Sequence, residues 1–299
     1  MSVTVYEIIT GQIIAQLEKG VAPWRQPWSV GLPKNLVSGK VYRGINLFLL
    51  STAGCEYFLT RNQAEELGGT IRCKGLPVVF WKMLERENKK TGEKELTPFM
   101  RYYKVYPANG VDGLDVPSPI GENNISIERA EAIIQGMPNR PVINYGGNDA
   151  CYIPSRDEVR VPALQSFSDS ADFYQTTYHE LAHSTGHSSR LKRDGVTQNW
   201  GFGSHEYSDE ELLAEMTASF LSGVAGIEQK TMQSSAAYLN GWLKKMKADP
   251  KFIIQVSSRA QKAADYILGH HDEDPVKPGL FISGRFSAMT TCHHVSMHA

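Results

Sequence analysis

His179, Glu180 and His183 stand in the spacing H-E-x-x-H. Inside a helix, positions four apart lie on one face, so the two imidazoles can offer nitrogens to a single zinc ion. Glu180 then sits beside the metal's open coordination position. A carboxylate there can take a proton from water whose pKa the zinc has lowered, and carry it to a leaving amine. The plain alternative is a chance pairing among nine His and 32 Asp and Glu. A further set of carboxylates downstream argues against chance.

That set lies in Ser208-Asp209-Glu210-Glu211-Leu212-Leu213-Ala214-Glu215. Its E-x-x-A-E pattern resembles the second helix of the gluzincin peptidases. The resemblance implies Glu211 as third protein ligand and Glu215 as the carboxylate that steadies a ligand histidine from behind. A second reading stays open, because Ser208 and Glu211 also fit a capping box. Glu211 would then bond backbone N–H groups, and Glu215 would move up to the metal. His187 extends the run to H-E-x-x-H-x-x-x-H, but it follows Gly186, and metzincin spacing would need a histidine where Ser189 stands. It reads as structural, or as a rim residue. His205 and Tyr207 could stabilise an oxyanion. Cys292, His293, His294 and His298 form another cluster, in an irregular tail, and read as adventitious metal binders.

The elements that must carry these residues are legible in outline. Asp172 to Thr185 reads as the helix bearing H-E-x-x-H, ended by Gly186 in left-handed backbone angles. Ser208 to Leu221 reads as the helix bearing Glu211, opened by Ser208 and an acidic first turn. Upstream, Ile127 to Gln135 reads as a helix, and Val142 to Tyr145, Ala150 to Ile153 and Glu158 to Val161 as short strands. Downstream, helices are expected near Ala236 to Ala248 and Ile254 to Ile267. In the first half, Ile8, Ile9, Ile13, Ile14 and Leu17 mark a helix over roughly residues 3 to 19, stopped by Gly20. Pro23 to Asn46 reads as an ordered loop region, Thr60 to Leu67 as a short helix, and Thr70 to Arg72, Pro77 to Lys82 and Met100 to Tyr106 as strands of a small antiparallel sheet. Glu85 to Glu95 would form a charged hairpin tip. Asp115 to Asn124 is the best linker candidate. The expected organisation is α+β in two domains, residues 1–115 and 125–299, joined by a linker at 116–124.

Of the 299 residues, 41% are hydrophobic and 21% charged, ordinary for a globular protein. The longest apolar run is a few residues, Leu47 to Leu50, too short to span a membrane. The start lacks the basic residues of a secretory signal. Cys55, Cys73, Cys151 and Cys292 never stand in C-x-x-C spacing, so reduced thiols in a cytoplasm are the plain reading. The net charge of −1 hides an asymmetry: residues 1–120 hold 15 Lys and Arg against 11 Asp and Glu, and the remainder 16 against 21.

That basic first half interleaves cations with aromatics. Trp24, Arg25 and Trp28 stand close together; Lys34, Lys40, Tyr42, Arg43 and Asn46 follow; Arg61, Arg72 and Lys74 surround the expected strands. Aromatic faces stack on unpaired bases while Lys and Arg track phosphates. The competing reading is that the tryptophans are core residues.

The stretches W-R-Q-P-W, G-K-V-Y-R-G-I-N, F-L-T-R-N-Q-A, L-G-G-T-I-R-C-K-G and R-Y-Y-K-V-Y are similar to the amino-terminal domain of ArdC-type antirestriction proteins, shared with TraC-type primases of conjugative plasmids. A-C-Y-I-P-S-R-D-E-V-R-V-P, Y-H-E-L-A-H-S-T-G-H and E-E-L-L-A-E resemble the same family in the second half. The resemblance covers roughly residues 5 to 225. It implies a single-stranded-DNA-binding α+β domain joined to a zincin-like (gluzincin) metallopeptidase domain with one Zn2+ per chain. It further implies protection of incoming plasmid DNA in the cytoplasm, with single-stranded DNA as partner, duplex DNA kept open, and no membrane.

Overall fold

Thr4 caps the first helix, α1 (Val5–Leu17), by accepting the Glu7 N–H while the Glu7 carboxylate accepts the Thr4 N–H. Ile9 and Ile13 turn one face of it into the core. The computed structural model describes residues 4–25, 31–87, 94–117, 126–197, 205–227 and 236–270, with side chains for rather fewer. Trp28, most of the expected linker and the Cys292, His293, His294, His298 cluster lie outside the described residues, as do the side chains of Arg25, His205 and Tyr207.

After a tight turn at Pro23–Arg25 come β1 (Lys34–Asn35), α2 (Ile45–Ser51), β2 (Tyr57–Leu59), α3 (Arg61–Glu66), β3 (Thr70–Ile71), β4 (Leu76–Glu87), β5 (Lys94–Pro107) and β6 (Val111–Asp112). Thr60 and Gln63 cap α3 reciprocally, and Gly68, at φ +74°, ends it where a side chain would be strained. The main sheet runs β1-β2-β5-β4. β1 lies parallel to β2, so the sheet is mixed rather than wholly antiparallel. The β4–β5 ladder reaches from Leu76↔Val105 to Glu87↔Lys94, well into the stretch expected as a hairpin tip. Charge alone is a poor boundary signal there, because opposite charges across an antiparallel ladder support it. One face of the sheet packs Phe58, Val78 and Val105 with Leu50 of α2. The other packs Leu59 and Tyr106 under α3 and the β3–β6 pair, through Ala64 and Val111.

The second half contains α4 (Ser126–Gly136), β7 (Val142–Tyr145), β8 (Cys151–Ile153), β9 (Glu158–Val161), α5 (Ser170–Ser184), α6 (Asp194–Thr197), α7 (His205–Ala225), α8 (Ala236–Ala248) and α9 (Phe252–Ile267). Its sheet is ordered β7-β9-β8, with β8 antiparallel on one edge. Helices α5, α7 and α9 pack together above it. The largest core cluster takes residues from both halves: Ile9, Ile13, Trp24 and Phe48 meet Phe220, Trp242 and Ile253. Among the described residues no helix is long and apolar enough to cross a membrane.

Two expectations about helix ends are corrected. Helix α7 starts at His205, so Ser208 lies inside it rather than at its cap, and the capping-box reading of Glu211 falls away. Gly186 does not take left-handed angles; Lys192 does, at φ +47°. Glycine is required at 186 because a Cβ would come within 2.5 Å of Val196 Cγ2 and 3.1 Å of Arg193 Nη2.

Candidate metal centre

Asp169 opens α5 by accepting the Ala171 N–H at 2.8 Å. Tyr178 and Leu181 bury one side of the helix completely, and the Tyr178 hydroxyl donates to the Ala130 carbonyl at 3.0 Å. This fixes the rotation of α5, leaving His179 and His183 facing α7. Leu212, Leu213 and Met216 lock α7 in turn, which presents Glu211 to the histidines.

His179 Nε2 and His183 Nε2 are 3.1 Å apart. Glu211 Oε2 is 3.5 Å from the first and Oε1 is 3.4 Å from the second. With zinc bonds of about 2.0–2.1 Å, the edge of a tetrahedral coordination shell is about 3.3–3.4 Å. The three donor groups therefore already occupy what would be three corners around one ion. They are the only such His/Cys/Asp/Glu group among the described residues.

The electrostatics also call for a cation. Burial would lower the His183 pKa, yet contacts with Glu210 and Glu211 push it up to about 10. Burial would raise Glu211, but its bonds to His179 and His183 hold it well below the carboxylate range. A divalent cation bound here would face this concentration of carboxylate charge. His179, His183 and Glu211 fit a metal ion by distance, donor chemistry and charge.

Two contributors had no sequence signal. Glu210, 6% exposed, faces His183 Nδ1 at 3.7 Å, on the ring edge away from Glu211. Arg193 grips Glu210 through Nε at 3.1 and 3.2 Å and through a short Nη2 contact, and also donates to the Ala182 carbonyl and Thr185 Oγ1. Burial would raise Glu210, but His183 and Arg193 hold it down at about 2. No spacing rule links positions 183, 193 and 210; only the approach of α5, α7 and the loop between them does. Glu215, expected behind a ligand histidine, accepts the Trp24 indole N–H at 3.0 Å. The Nδ1 of His179 is buried without a hydrogen-bond partner. His187 bonds Ser189 and stands apart from the donor group.

Strand β8 packs against α5 near this site. The pKa of its Cys151 thiol is raised, by burial first and then by the nearby Glu180 charge.

The candidate nucleic-acid residues divide. Trp24 is 1% exposed, wedged between Phe48 and Trp242, so it cannot stack on a base. Asn46 bonds both backbone groups of Val79 at 2.8 and 2.9 Å. Arg43 pairs with Asp265 of α9, and Tyr42 packs edge-on against Phe58. Lys34 pairs with Glu56 and Arg72 with Asp112. Lys40 is partly exposed, while Arg61 and Lys74 are exposed.

Comparison with known proteins follows the same division. Residues 3–106 match the family model described as the N-terminal domain of anti-restriction factor ArdC, and residues 128–259 that of a zincin-like metallopeptidase. The chain is 33% identical to two DNA primases TraC of Escherichia coli over 88% of its length, but spans only 20% and 27% of theirs. It is 31% identical to the uncharacterized protein y4eC of Sinorhizobium fredii, covering 88% of this chain and 91% of that protein. Crystal structures of the antirestriction protein ArdC from plasmid R388, 31% identical, superpose with TM-scores of 0.74 (metal-free) and 0.70 (Mn(II)-bound), over 90% of this chain and 98% of theirs. A donor group shaped for a divalent metal, set in a zincin-like half behind an ArdC-type first half, and matched along nearly its whole length by ArdC itself, identifies the chain as a member of the ArdC family of antirestriction proteins.

Proposed function

We propose that the protein binds single-stranded DNA, protects incoming plasmid DNA during conjugation, and carries a zinc peptidase site. The observation that supports the peptidase most directly is the convergence of His179, His183 and Glu211 within 3.5 Å of one another beside Glu180. These three would hold one zinc ion, which when bound polarises a carbonyl and brings a coordinated water's pKa toward neutrality. Glu180 takes up a proton at its carboxylate and returns it to the departing amine nitrogen. Glu210, braced by Arg193, holds the His183 ring in orientation through Nδ1. Strand β8 pairs only with β9 among the described strands, so an extended polypeptide could add to its other edge beside Glu180. The match to ArdC and to the TraC primases supports DNA as the partner of the first half.

The burial of Glu180, 8% exposed, and His179, 7% exposed, favours a second reading, a DNA-binding shield whose metal site is structural. The two separate in one experiment. The zinc-loaded chain is incubated with a pool of unfolded polypeptides, with and without a single-stranded oligonucleotide. Cleavage by the wild type that Glu180→Gln abolishes supports the peptidase. Absence of cleavage under both conditions, from protein that holds its metal, leaves the shield.

A further inference from the structure

The residues marked for nucleic acid fall into two groups. The first group is spent on the fold: Trp24 is in the core, Arg43 is paired with Asp265, and Asn46 is tied to the edge of β4. The second differs. Alternate residues of a strand share a face, so Tyr102, Lys104 and Tyr106 of β5 form one row, with Leu59 of β2 opposite Tyr106. Tyr106 is covered by the small cluster under α3, and Val79, opposite Tyr102, packs against the main core; Tyr102 and Lys104 stay open between these covers. Tyr102 there is 43% exposed, and Lys104 is exposed.

Cations border this row. The Arg61 guanidinium lies 5.7 Å over the Tyr106 ring, and Lys34 Nζ lies 4.7 Å over Tyr57. Gly75 draws the chain tight against β5: a Cβ there would come within 2.9 Å of the Tyr106 ring and 3.1 Å of Lys104 Cβ. Lys74 lies one residue before this contact and is exposed. Of the acids nearby, Asp112 is matched by Arg72 at 3.0 Å, Glu56 by Lys34 at 2.7 Å and, more loosely, the exposed Glu65 by Arg61 at 3.9 Å. Lys74 and Lys104 have no ion-pair partner among the described residues. An exposed aromatic ring beside unmatched cations suits a ligand that offers both flat faces and phosphates.

We propose that single-stranded DNA crosses this face, with Tyr102 as a stacking platform and Lys104, Lys74 and Arg61 along the phosphates. The assignment rests on the DNA-binding reading of the first half and moves its contacts away from Trp24, Arg43 and Asn46. Only unpaired bases expose the faces that Tyr102 would stack on, which excludes duplex DNA from this contact.

Tyr103 supplies an internal control. It is 42% exposed, adjacent in sequence and of the same type, yet alternation puts it on the opposite face, in the row of Val105. Fluorescence anisotropy of a labelled thymidine oligonucleotide, titrated with the full chain at several salt concentrations, reads the difference. Tyr102→Ala should weaken binding about ten-fold or more, and Tyr102→Phe should restore most of it. Lys104→Ala should weaken binding and lower the slope of log K against log salt by about one. Tyr103→Ala should bind as the wild type does. Circular dichroism confirms that each variant is folded. Equal loss in Tyr103→Ala and Tyr102→Ala, or wild-type binding by Tyr102→Ala, overturns the assignment while the DNA reading stands. A wild-type chain that fails to bind at low salt removes the DNA reading itself.

Discussion

At the scale of single residues, the metal centre depends on groups that do unequal work. His179→Ala or His183→Ala removes one of three donors, and elemental analysis of the purified variant should show the loss of about one metal per chain. Glu180→Gln should retain the metal, because Glu180 is not among the converging donors. Glu210 touches the site only through His183 Nδ1. Glu210→Gln keeps the shape but loses the charge-assisted contact, and leaves Arg193 facing a neutral amide. Metal affinity should fall about 10- to 100-fold, read by competition with a chelator, a magnitude typical of partners behind a ligand. An unchanged affinity would make Glu210 a purely structural partner of Arg193. Of these groups the two histidines and Glu180 are plain in sequence, because H-E-x-x-H needs only helical spacing. Glu210 is not, since its partners come from two other segments.

At the scale of elements, the segment between α5 and α7 acts as a clamp. Arg190, its side chain fully buried, grips Asp157 at 2.7 and 2.8 Å and the Ser184 carbonyl at 3.0 Å. Burial would raise Asp157, but Arg190 and Tyr152 hold it below the ordinary carboxylate value. A carboxylate whose folded pKa is depressed stabilises the fold above its unfolded pKa, and that contribution is lost as pH falls through the folded pKa. Wild-type stability to urea should therefore drop below about pH 4 more steeply than that of Asp157→Asn, which has already lost the term at neutral pH. Gly186→Ala tests the same clamp by packing. The added methyl meets Val196 and Arg193, and overpacking of this kind costs about 1–3 kcal/mol. Differential denaturation should show it, with metal affinity reduced because Arg193 must move.

At the scale of the whole molecule, the two halves share a core. Trp24 meets Trp242 at a centroid distance of 6.0 Å, Phe48 stacks on Phe220 at 4.8 Å, and the Gly44 N–H bonds Gln261 at 2.9 Å. Trp242 is fully buried and its indole donates to the Ser208 carbonyl at 2.8 Å. Trp242→Ala should cost about 3–5 kcal/mol and lower the melting of both halves together. Scanning calorimetry of the wild type should show one cooperative transition, whereas two resolved transitions would show that the halves unfold separately.

Local and periodic features of this protein were determined by sequence alone. The H-E-x-x-H helix, the short strands of the second half and the short helix from Thr60 to Leu67 each depend on neighbours within a few residues, where spacing and side-chain type suffice. Tertiary structure alone decided matters that depend on which surfaces meet. Burial removed Trp24 from any nucleic-acid contact, and the three-residue extension of α7 settled that Ser208 is no cap. The fold gave Trp24 to Glu215 and brought Glu210 and Arg193 to His183. Those partners are 10 to 191 residues apart in the chain, and no period or cap relates positions so distant; only packing does, because it alone sets which buried polar groups must satisfy one another.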